Sequence, residues 1–309
     1  MVVMKKMTSN PNTNSSKITM FTGKGGVGKT TCAAATALHY SKTGNTTLAI
    51  STDATPSLSH IYELSDKPKP ACVTDSLFVK ELGHVEVKEM WDKKFGKDVY
   101  GVFSSFVDIE YPEFVEFVTS VLPGLSDEFM VDYIRELTLN DEYNAVVWDT
   151  APLGQTLALL ETPALLSEHL KMAPRIYSRL KVGRTTREPI LDIIRRWEKL
   201  SAINMDFLKD IVDFTLVTIP EALAVEQLED IFRELDEYEL KVKRIIINNV
   251  AKDDESVFMS TKHNQQQEYL RRIHNTYSNI EIVELPMFPY EIKGLERLVE
   301  IERTLFSES

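Results

Sequence analysis

The sequence has few cysteines, no long apolar run and no surplus of positive charge, and each shortage excludes a class of protein. Cys32 and Cys72 are the only cysteines among 309 residues, which is too few for a disulfide scaffold or a four-cysteine metal site and fits a reducing compartment. No stretch approaches the roughly 20 apolar residues of a membrane span, and the N-terminus lacks the apolar block of a signal peptide. A formal net charge of −12 gives no broad attraction to nucleic acid or anionic lipid. We therefore expect a cytoplasmic protein that does not bind nucleic acid.

The composition is that of a folded chain, with 43% hydrophobic and 27% charged residues, which is enough apolar material for a substantial core. Residues 8–16 hold no side chain that would pack in such a core. We therefore predict a disordered leader over residues 1–16 and a single folded domain over residues 17–305.

Alternating strand and helix patterns predict an α/β fold. An apolar strand at 18–22, a glycine-rich loop, a helix at about 29–41 and a second strand at 47–51 form a βαβ unit. Further strands are predicted at 145–148, 214–219, 244–247 and 280–285. Six or more strands alternating with helices predict a doubly wound, mostly parallel sheet.

Two stretches outside this alternation, at about 84–140 and 163–210, have a helical pattern and predict a helical insertion subdomain. Apolar residues recur there at helical spacing: Phe114, Phe117, Val118, Val121, Leu122 and Leu125 in the first stretch, and Ile190, Ile193, Ile194 and Trp197 in the second. These faces either pack on one another or line an exposed groove for an apolar client, and the sequence leaves both alternatives open.

A phosphate-binding loop is predicted at residues 23–30, which read Gly-Lys-Gly-Gly-Val-Gly-Lys-Thr between a strand and a helix, as the pattern G-x-x-x-x-G-K-[ST] requires. Its glycines let backbone N–H groups surround a β-phosphate at a helix N-terminus. Lys29 is placed to bridge the β- and γ-phosphates, and Thr30 to ligate Mg²⁺. The candidate cofactor-binding residues here are Gly23, Lys24, Gly25, Gly26, Val27, Gly28, Lys29, Thr30 and Thr31. The segment predicts an ATPase that uses ATP and Mg²⁺.

Three charged residues join Lys29 in the predicted catalytic and magnesium-binding set. Lys24 is a second cation on the loop, either solvated or reaching a phosphate bound by a facing subunit, as an arginine finger does. Asp53, at the end of the second strand, is a candidate for orienting the attacking water and for binding Mg²⁺. Asp149 ends an apolar strand, as a Walker B magnesium acid does, unless it only caps the next helix. Residues 149–154 contain a proline and a glycine and are a candidate switch loop.

Together, the loop at 23–30 and the sequence Asp-Thr-Ala-Pro-Leu-Gly at 149–154 identify a resemblance. From about residue 17 to 305 the chain resembles the arsenite-pump and tail-anchored-protein-targeting ATPase family, which has a deviant form of the phosphate loop. The resemblance implies a homodimer in which Lys24 acts across the subunit boundary, Asp53 positions water in switch I, and Asp149 binds magnesium in switch II.

The same resemblance implies a base site late in the chain and also shows departures. Asn248 looks like the strand-end asparagine that hydrogen-bonds adenine, and Pro286 opens a segment similar to the family's loop beside the base. The switch residues 54–56, Leu153 and Gln155 differ from the usual family residues, which puts the timing of hydrolysis in question. Residues 257–263 contain no cysteine, so the zinc clasp found in many targeting members is absent.

Three functions compete on this evidence. The first is a dimeric targeting ATPase that shields the transmembrane segment of a tail-anchored client, with a receptor at the membrane as a further candidate partner. The second is an arsenite-stimulated pump subunit, which needs about three sulfur ligands where this chain has two cysteines. The third is a related ATPase with another client, or one that positions a scaffold or membrane assembly. The C-terminal region, residues 295–306, lacks the positive excess of a membrane-binding helix.

Overall fold

A single sheet runs through the computed structural model, which describes residues 16–52, 57–64, 70–104, 108–121, 125–140, 142–150, 184–253 and 256–307. Its strands are β1 (Lys17–Thr22), β2 (Thr47–Ser51), β3 (Ala71–Thr74), β4 (Leu77–Glu81), β5 (Ala145–Asp149), β6 (Val212–Thr218), β7 (Val242–Val250) and β8 (Glu281–Pro286). Within the described residues their order across the sheet is β3-β4-β2-β5-β1-β6-β7-β8. Every neighbouring pair is parallel except β3 with β4.

Helices cover both faces of this sheet. In chain order they are α1 (Lys29–Lys42), α2 (Leu58–Ile61), α3 (His84–Trp91), α4 (Lys97–Phe103), α5 (Tyr111–Val121), α6 (Leu125–Leu139), α7 (Arg184–Asp210), α8 (Ala222–Glu237), α9 (Val257–Thr276) and α10 (Gly294–Phe306). A short π-helical stretch, Asp92–Gly96, joins α3 to α4. The doubly wound, mostly parallel sheet predicted from the sequence is confirmed.

The strands are apolar on both faces because each face is covered by a helical layer. Successive residues of β5 alternate between two buried clusters: Val146 and Trp148 join one, and Ala145 and Val147 join the other. The first cluster also takes its residues from α5, α6, α7, α8 and α9, and the second from α1, α2 and α10. Four buried alanines of α1, including Ala33 and Ala37, keep that helix thin enough to lie directly between the sheet and α10.

The strand predictions missed one part of the sheet. Strands β3 and β4 form an antiparallel edge hairpin joined by a tight turn at Asp75 and Ser76. Each strand is only four or five residues long, and Cys72 and Lys80 interrupt the apolar pattern. Such short segments give little periodic signal. The other strands lie within a few residues of their predicted positions.

Between β4 and β5 the described residues form helices α3 to α6, and α7 precedes β6. Phe114 of α5 is fully buried, and Ile193 of α7 is almost so, whereas Phe117 is 47% exposed. The side chains of Val118, Val121, Leu122, Leu125, Ile190 and Ile194 lie outside those that the structure describes. Most of the predicted leader also lies outside the described residues, although Ser16 is described and its hydroxyl donates a hydrogen bond to the carbonyl of Tyr143. The division into leader, domain and insertion stays a prediction.

No helix in the described ranges combines the length and the apolar character that crossing a bilayer requires.

Candidate nucleotide site

Three strand ends bring the predicted active-site segments to one edge of the sheet. Asp149, the last residue of β5, pairs with Phe21 of β1 on one side and with Ser51 of β2 on the other. The backbone N–H of Thr52 donates to the Asp149 carbonyl (3.1 Å), and the hydroxyl of Thr150 donates to the Phe21 carbonyl (2.7 Å). The carboxyl ends of parallel strands are where α/β proteins bind their ligands.

Asp53 itself lies outside the described residues, as do Leu153 and Gln155. Its neighbour Thr52 is buried, and the Thr52 hydroxyl accepts a hydrogen bond from the indole N–H of Trp148 at 3.1 Å. The chain therefore enters the predicted switch I segment from a fixed point beside Asp149. The roles of Asp53 in water positioning and magnesium binding remain predictions.

The phosphate loop connects β1 to α1 and depends on glycine at two close approaches. Gly23 has φ +146°, and a Cβ there would lie 2.2 Å from the carbonyl oxygen of Val217 in β6. Gly28, the N-cap of α1, has φ +96°, and its Cβ would lie 2.3 Å from the side-chain nitrogen of Asn248. No real Cβ makes contacts this short, so these glycines let the loop fold back against β6 and β7.

Lys29 lies at the first turn of α1 with only 7% of its surface exposed. Its ammonium group donates a hydrogen bond to the Lys24 carbonyl across the loop (3.1 Å). No side chain caps this helix N-terminus, so its first backbone N–H groups and the helix dipole face the loop. A buried cation over an uncapped helix N-terminus is an arrangement that binds phosphate.

The donor set fits ATP with magnesium. The loop offers backbone N–H groups and the ammonium of Lys29 to phosphate oxygens, while Thr30 and Asp149 offer oxygen atoms. Mg²⁺ usually takes one or two protein oxygens and completes its octahedron with water and substrate phosphates. This requirement is met without a larger ligand cluster, and among the described residues no group of three or more His, Cys, Asp or Glu side chains could hold a metal ion.

Asn248 reaches the phosphate loop from the end of β7. Its side-chain amide donates a hydrogen bond to the Val27 carbonyl (2.9 Å). A carboxamide has two N–H donors and an acceptor oxygen, so this bond leaves capacity for a ligand. The role of Asn248 in hydrogen-bonding adenine stays a prediction, and the structure adds a second task, which is to hold the loop.

Pro286, the predicted neighbour of the base, lies beside this strand end. It is the last residue of β8 and pairs with Val250 of β7, and the N–H of Met287 donates to the Val250 carbonyl (2.9 Å). The structure thus brings Pro286, Asn248 and the loop to adjacent positions on one sheet edge. Thr31 and Lys24 are half-buried, in α1 and in the loop respectively.

The two cysteines are poorly suited to soft-metal chemistry. Cys32 is completely buried in α1, and burial raises the pKa of its thiol to about 12. Cys72 is exposed on the edge strand β3. Complete burial keeps Cys32 away from a metal in solvent, and the raised pKa disfavours the thiolate that binds metals.

Comparison with known proteins finds one family and several ATPases to which this chain is similar. The family described as anion-transporting ATPase matches residues 16–307. ATPase GET3A of Arabidopsis thaliana is 29% identical over 295 residues, covering 89% of this chain and 80% of its own length. A protein of Aquifex aeolicus (strain VF5), provisionally named arsenical pump-driving ATPase 2, is 30% identical over 307 residues, covering 94% of this chain and 99% of its own length. ATPase get3 of Schizosaccharomyces pombe is 26% identical over 303 residues, covering 92% and 89% of the two chains.

Proposed function

This chain belongs to the anion-transporting ATPase family, and on that premise we propose that it is a dimeric targeting factor that shields the transmembrane segment of tail-anchored proteins. Members of the family are ATPases, and so is this chain. ATP closes two copies of the chain around the apolar segment of the client in the cytoplasm. Hydrolysis then releases the client at a membrane, where a receptor is a further partner.

The residues of the loop have distinct roles in hydrolysis. The backbone N–H groups of residues 23–30 and the ammonium of Lys29 hold the β- and γ-phosphates in line for attack. Asp53 orients the attacking water, and oxygen atoms of Thr30, Asp53 and Asp149 would hold the metal. Mg²⁺, when bound, neutralises charge that develops between the phosphates. Asn248 keeps the loop against β7 through its bond to Val27.

Lys24 supports a dimeric cycle. The ammonium of Lys29 lies over the loop of its own subunit, where it donates to the Lys24 carbonyl, so Lys29 is placed to serve the phosphates bound there. The half-buried Lys24 side chain is then the cation that acts on the facing subunit's nucleotide. Catalysis in trans of this kind links hydrolysis to dimer closure.

The observation that carries the proposal is the helical layer between β4 and β5, whose described residues include large apolar side chains that are exposed as well as others that are buried. Val85 of α3 is 65% exposed and Phe117 of α5 is 47% exposed. An ion pair between Lys88 and Glu116 joins these two helices, and Val85 lies one turn before Lys88. Phe114, three residues before Phe117, is fully buried. The layer therefore combines a packed interior with exposed apolar side chains, which are available to contact a hydrophobic client.

Capture of a transmembrane segment tests this proposal. Asp53→Asn protein, incubated with ATP, Mg²⁺ and a tail-anchored segment bearing a fluorophore, is expected to hold that segment in solution, whereas Lys29→Ala protein is not. In the Asp53→Asn background, Phe117→Asp should weaken capture at least about fivefold, because it places a charge in an apolar contact. Ile211→Asp is the matched control, since Ile211 is 43% exposed but lies between α7 and β6.

Failure of capture by protein that hydrolyses ATP and dimerises normally would contradict the targeting function. It would favour a related ATPase with a different client, and would leave the nucleotide site unaffected.

A second candidate, an arsenite-stimulated pump subunit, is favoured by the name of the Aquifex aeolicus relative. The thiols of this chain oppose it, because a trivalent metalloid needs about three sulfur ligands and one of the two cysteines is buried and protonated. Arsenite is therefore expected to leave the ATPase rate unchanged. Stimulation that disappears in Cys72→Ser protein would favour the pump function instead.

A further inference from the structure

The end of β7 has an irregular backbone that directs Asn248 toward the phosphate loop. From Ile247 to Val250 the strand advances three residues while its neighbour β8 advances only from Glu284 to Pro286, so β7 contains a bulge. Asn249 lies in this bulge with φ +58°, a left-handed conformation that asparagine adopts more readily than most other non-glycine residues. Such a conformation persists only where its surroundings hold it.

Gln266 of α9 holds this bulge. It is 4% exposed, and its carboxamide makes two hydrogen bonds to the strand end. The side-chain oxygen accepts from the N–H of Ala251 (2.7 Å), and the side-chain N–H₂ donates to the carbonyl of Asn249 (3.1 Å). One rigid amide therefore fixes the backbone on both sides of Val250.

Neighbouring contacts complete this arrangement. The Val250 carbonyl accepts from the N–H of Met287, and the Ala251 carbonyl lies 2.8 Å from Nδ1 of His263. Because a carbonyl only accepts, Nδ1 of His263 carries the proton. Three successive carbonyls, those of Asn249, Val250 and Ala251, are thus held by α9 and by the segment after β8.

Packing alone does not explain a glutamine at this position. Gln266, Leu270 and Ile273 are the buried residues of α9, spaced i, i+4 and i+7 along one face, where an apolar residue is the usual choice. A buried carboxamide is retained at low cost only if its hydrogen bonds are made. Here both of its polar atoms serve the strand end that carries Asn248.

We propose that Gln266 is a positioning residue of the nucleotide site, which fixes the bulge at Asn249 and so directs Asn248 toward Val27 and the bound nucleotide. This inference rests on the part of the proposed function that concerns the nucleotide site, and it does not depend on which client the protein binds. Gln266 acts through Asn248 and through the segment at Pro286, and it does not contact the reacting atoms.

Steady-state hydrolysis tests this role. Gln266→Met removes both hydrogen bonds at similar volume and is expected to raise the KM for ATP about tenfold while kcat falls less than twofold. Gln265→Met, the same change at the exposed neighbouring position, is the matched control and should leave KM within about twofold of wild type. The Kd for ADP, measured by calorimetry, should follow KM.

A second variant removes only the hydrogen bond that Gln266 donates to the Asn249 carbonyl, and it provides the test if Gln266→Met does not fold. Gln266→Glu keeps an acceptor for Ala251 but can donate to Asn249 only when its carboxyl group is protonated, a form that burial favours. The ratio of its KM for ATP to that of wild type should therefore decrease as the pH is lowered from 8 to 6. Urea denaturation at both pH values shows whether this variant stays folded, because ionisation of a buried carboxyl group also lowers the free energy of unfolding.

Equal KM values for Gln266→Met and Gln265→Met, or a pH-independent ratio for Gln266→Glu, would overturn the inference while leaving the ATPase intact. Wild-type protein that neither binds ADP nor hydrolyses ATP would instead overturn the nucleotide site itself, and with it this inference.

Discussion

Gly28→Ala tests whether this glycine is needed for its contact with Asn248 as well as for its backbone conformation. Gly28 has φ +96° and Gly44, in the turn after α1, has φ +93°. Replacing either glycine with alanine therefore imposes nearly the same left-handed conformation, at a cost of about 1–2 kcal/mol in the free energy of unfolding. Gly44→Ala is the matched control, because a Cβ at Gly44 meets nothing within 4 Å.

The two positions differ in what the new Cβ contacts. At Gly28 it would lie 2.3 Å from the side-chain nitrogen of Asn248. The amide must then move by about 1 Å to reach an ordinary contact distance, which breaks its 2.9 Å bond to the Val27 carbonyl. Losing that bond costs a further 1 kcal/mol or so. We therefore expect Gly28→Ala to lower the free energy of unfolding by about 2–3 kcal/mol in total.

Gly28→Ala and Gly44→Ala should differ more in their affinity for nucleotide than in their stability. With Asn248 displaced and the loop released from β7, Gly28→Ala is expected to raise the Kd for ADP at least about tenfold, whereas Gly44→Ala should change it less than twofold. Titration calorimetry measures the affinity, and urea denaturation monitored by circular dichroism measures the stability.

Adding Asn248→Ala to Gly28→Ala completes the test. Removing the amide relieves the contact, so the two substitutions together should cost less stability than the sum of their separate costs. Additive costs, or equal ADP affinity for Gly28→Ala and Gly44→Ala, would refute the proposed coupling between the loop and β7.

Three further predictions concern the catalytic residues and the buried thiol. Mixing Lys24→Ala with Lys29→Ala protein should restore phosphate release to about a quarter of the wild-type rate, since half of the dimers then hold one competent site; no restoration would exclude action in trans. Asp53→Asn should retain ATP binding in calorimetry but slow phosphate release at least about tenfold; equal turnover would exclude its role in positioning water. Burial raises the pKa of Cys32 from 9.0 to about 12, so its contribution to stability is present below pH 9.0 and is lost as the pH rises toward 12. The free energy of unfolding of wild type should therefore fall by about 1.4 kcal/mol per pH unit more than that of Cys32→Ala over that range; parallel curves of unfolding free energy against pH would contradict the buried thiol.

Local sequence patterns predicted the fold where the chain carries a strong periodic signal. The apolar strand before Gly23 and the helix from Lys29 follow from a loop pattern that occurs between those two elements. Strand β5 was predicted because it is apolar on both faces and ends in Asp149. The hairpin of β3 and β4 was missed because its strands are only four and five residues long and therefore give little periodic signal.

Only the part of the candidate site that is contiguous in sequence could be predicted. Residues 23–30 form a contiguous pattern, but the approach of Asn248 to Val27 spans 221 positions in the chain and depends on a bulge that no periodicity indicates. Gln266 gave one signal, a polar residue on an apolar helical face, although its partners could not be inferred from it. The recurrence of apolar residues around Phe117 at helical spacing predicted a helix but left open which of these residues are buried.

The molecular mass of the ATP-bound protein shows in one experiment whether the chain dimerises and whether the dimer holds a client segment. Asp53→Asn protein with ATP and Mg²⁺ is measured by light scattering coupled to gel filtration, first alone and then with a tail-anchored transmembrane segment. We expect two chains per particle in both samples and one bound segment in the second, and we expect Lys24→Ala to shift the particle toward single chains. Single chains of Asp53→Asn protein that bind ATP but no segment would contradict this expectation.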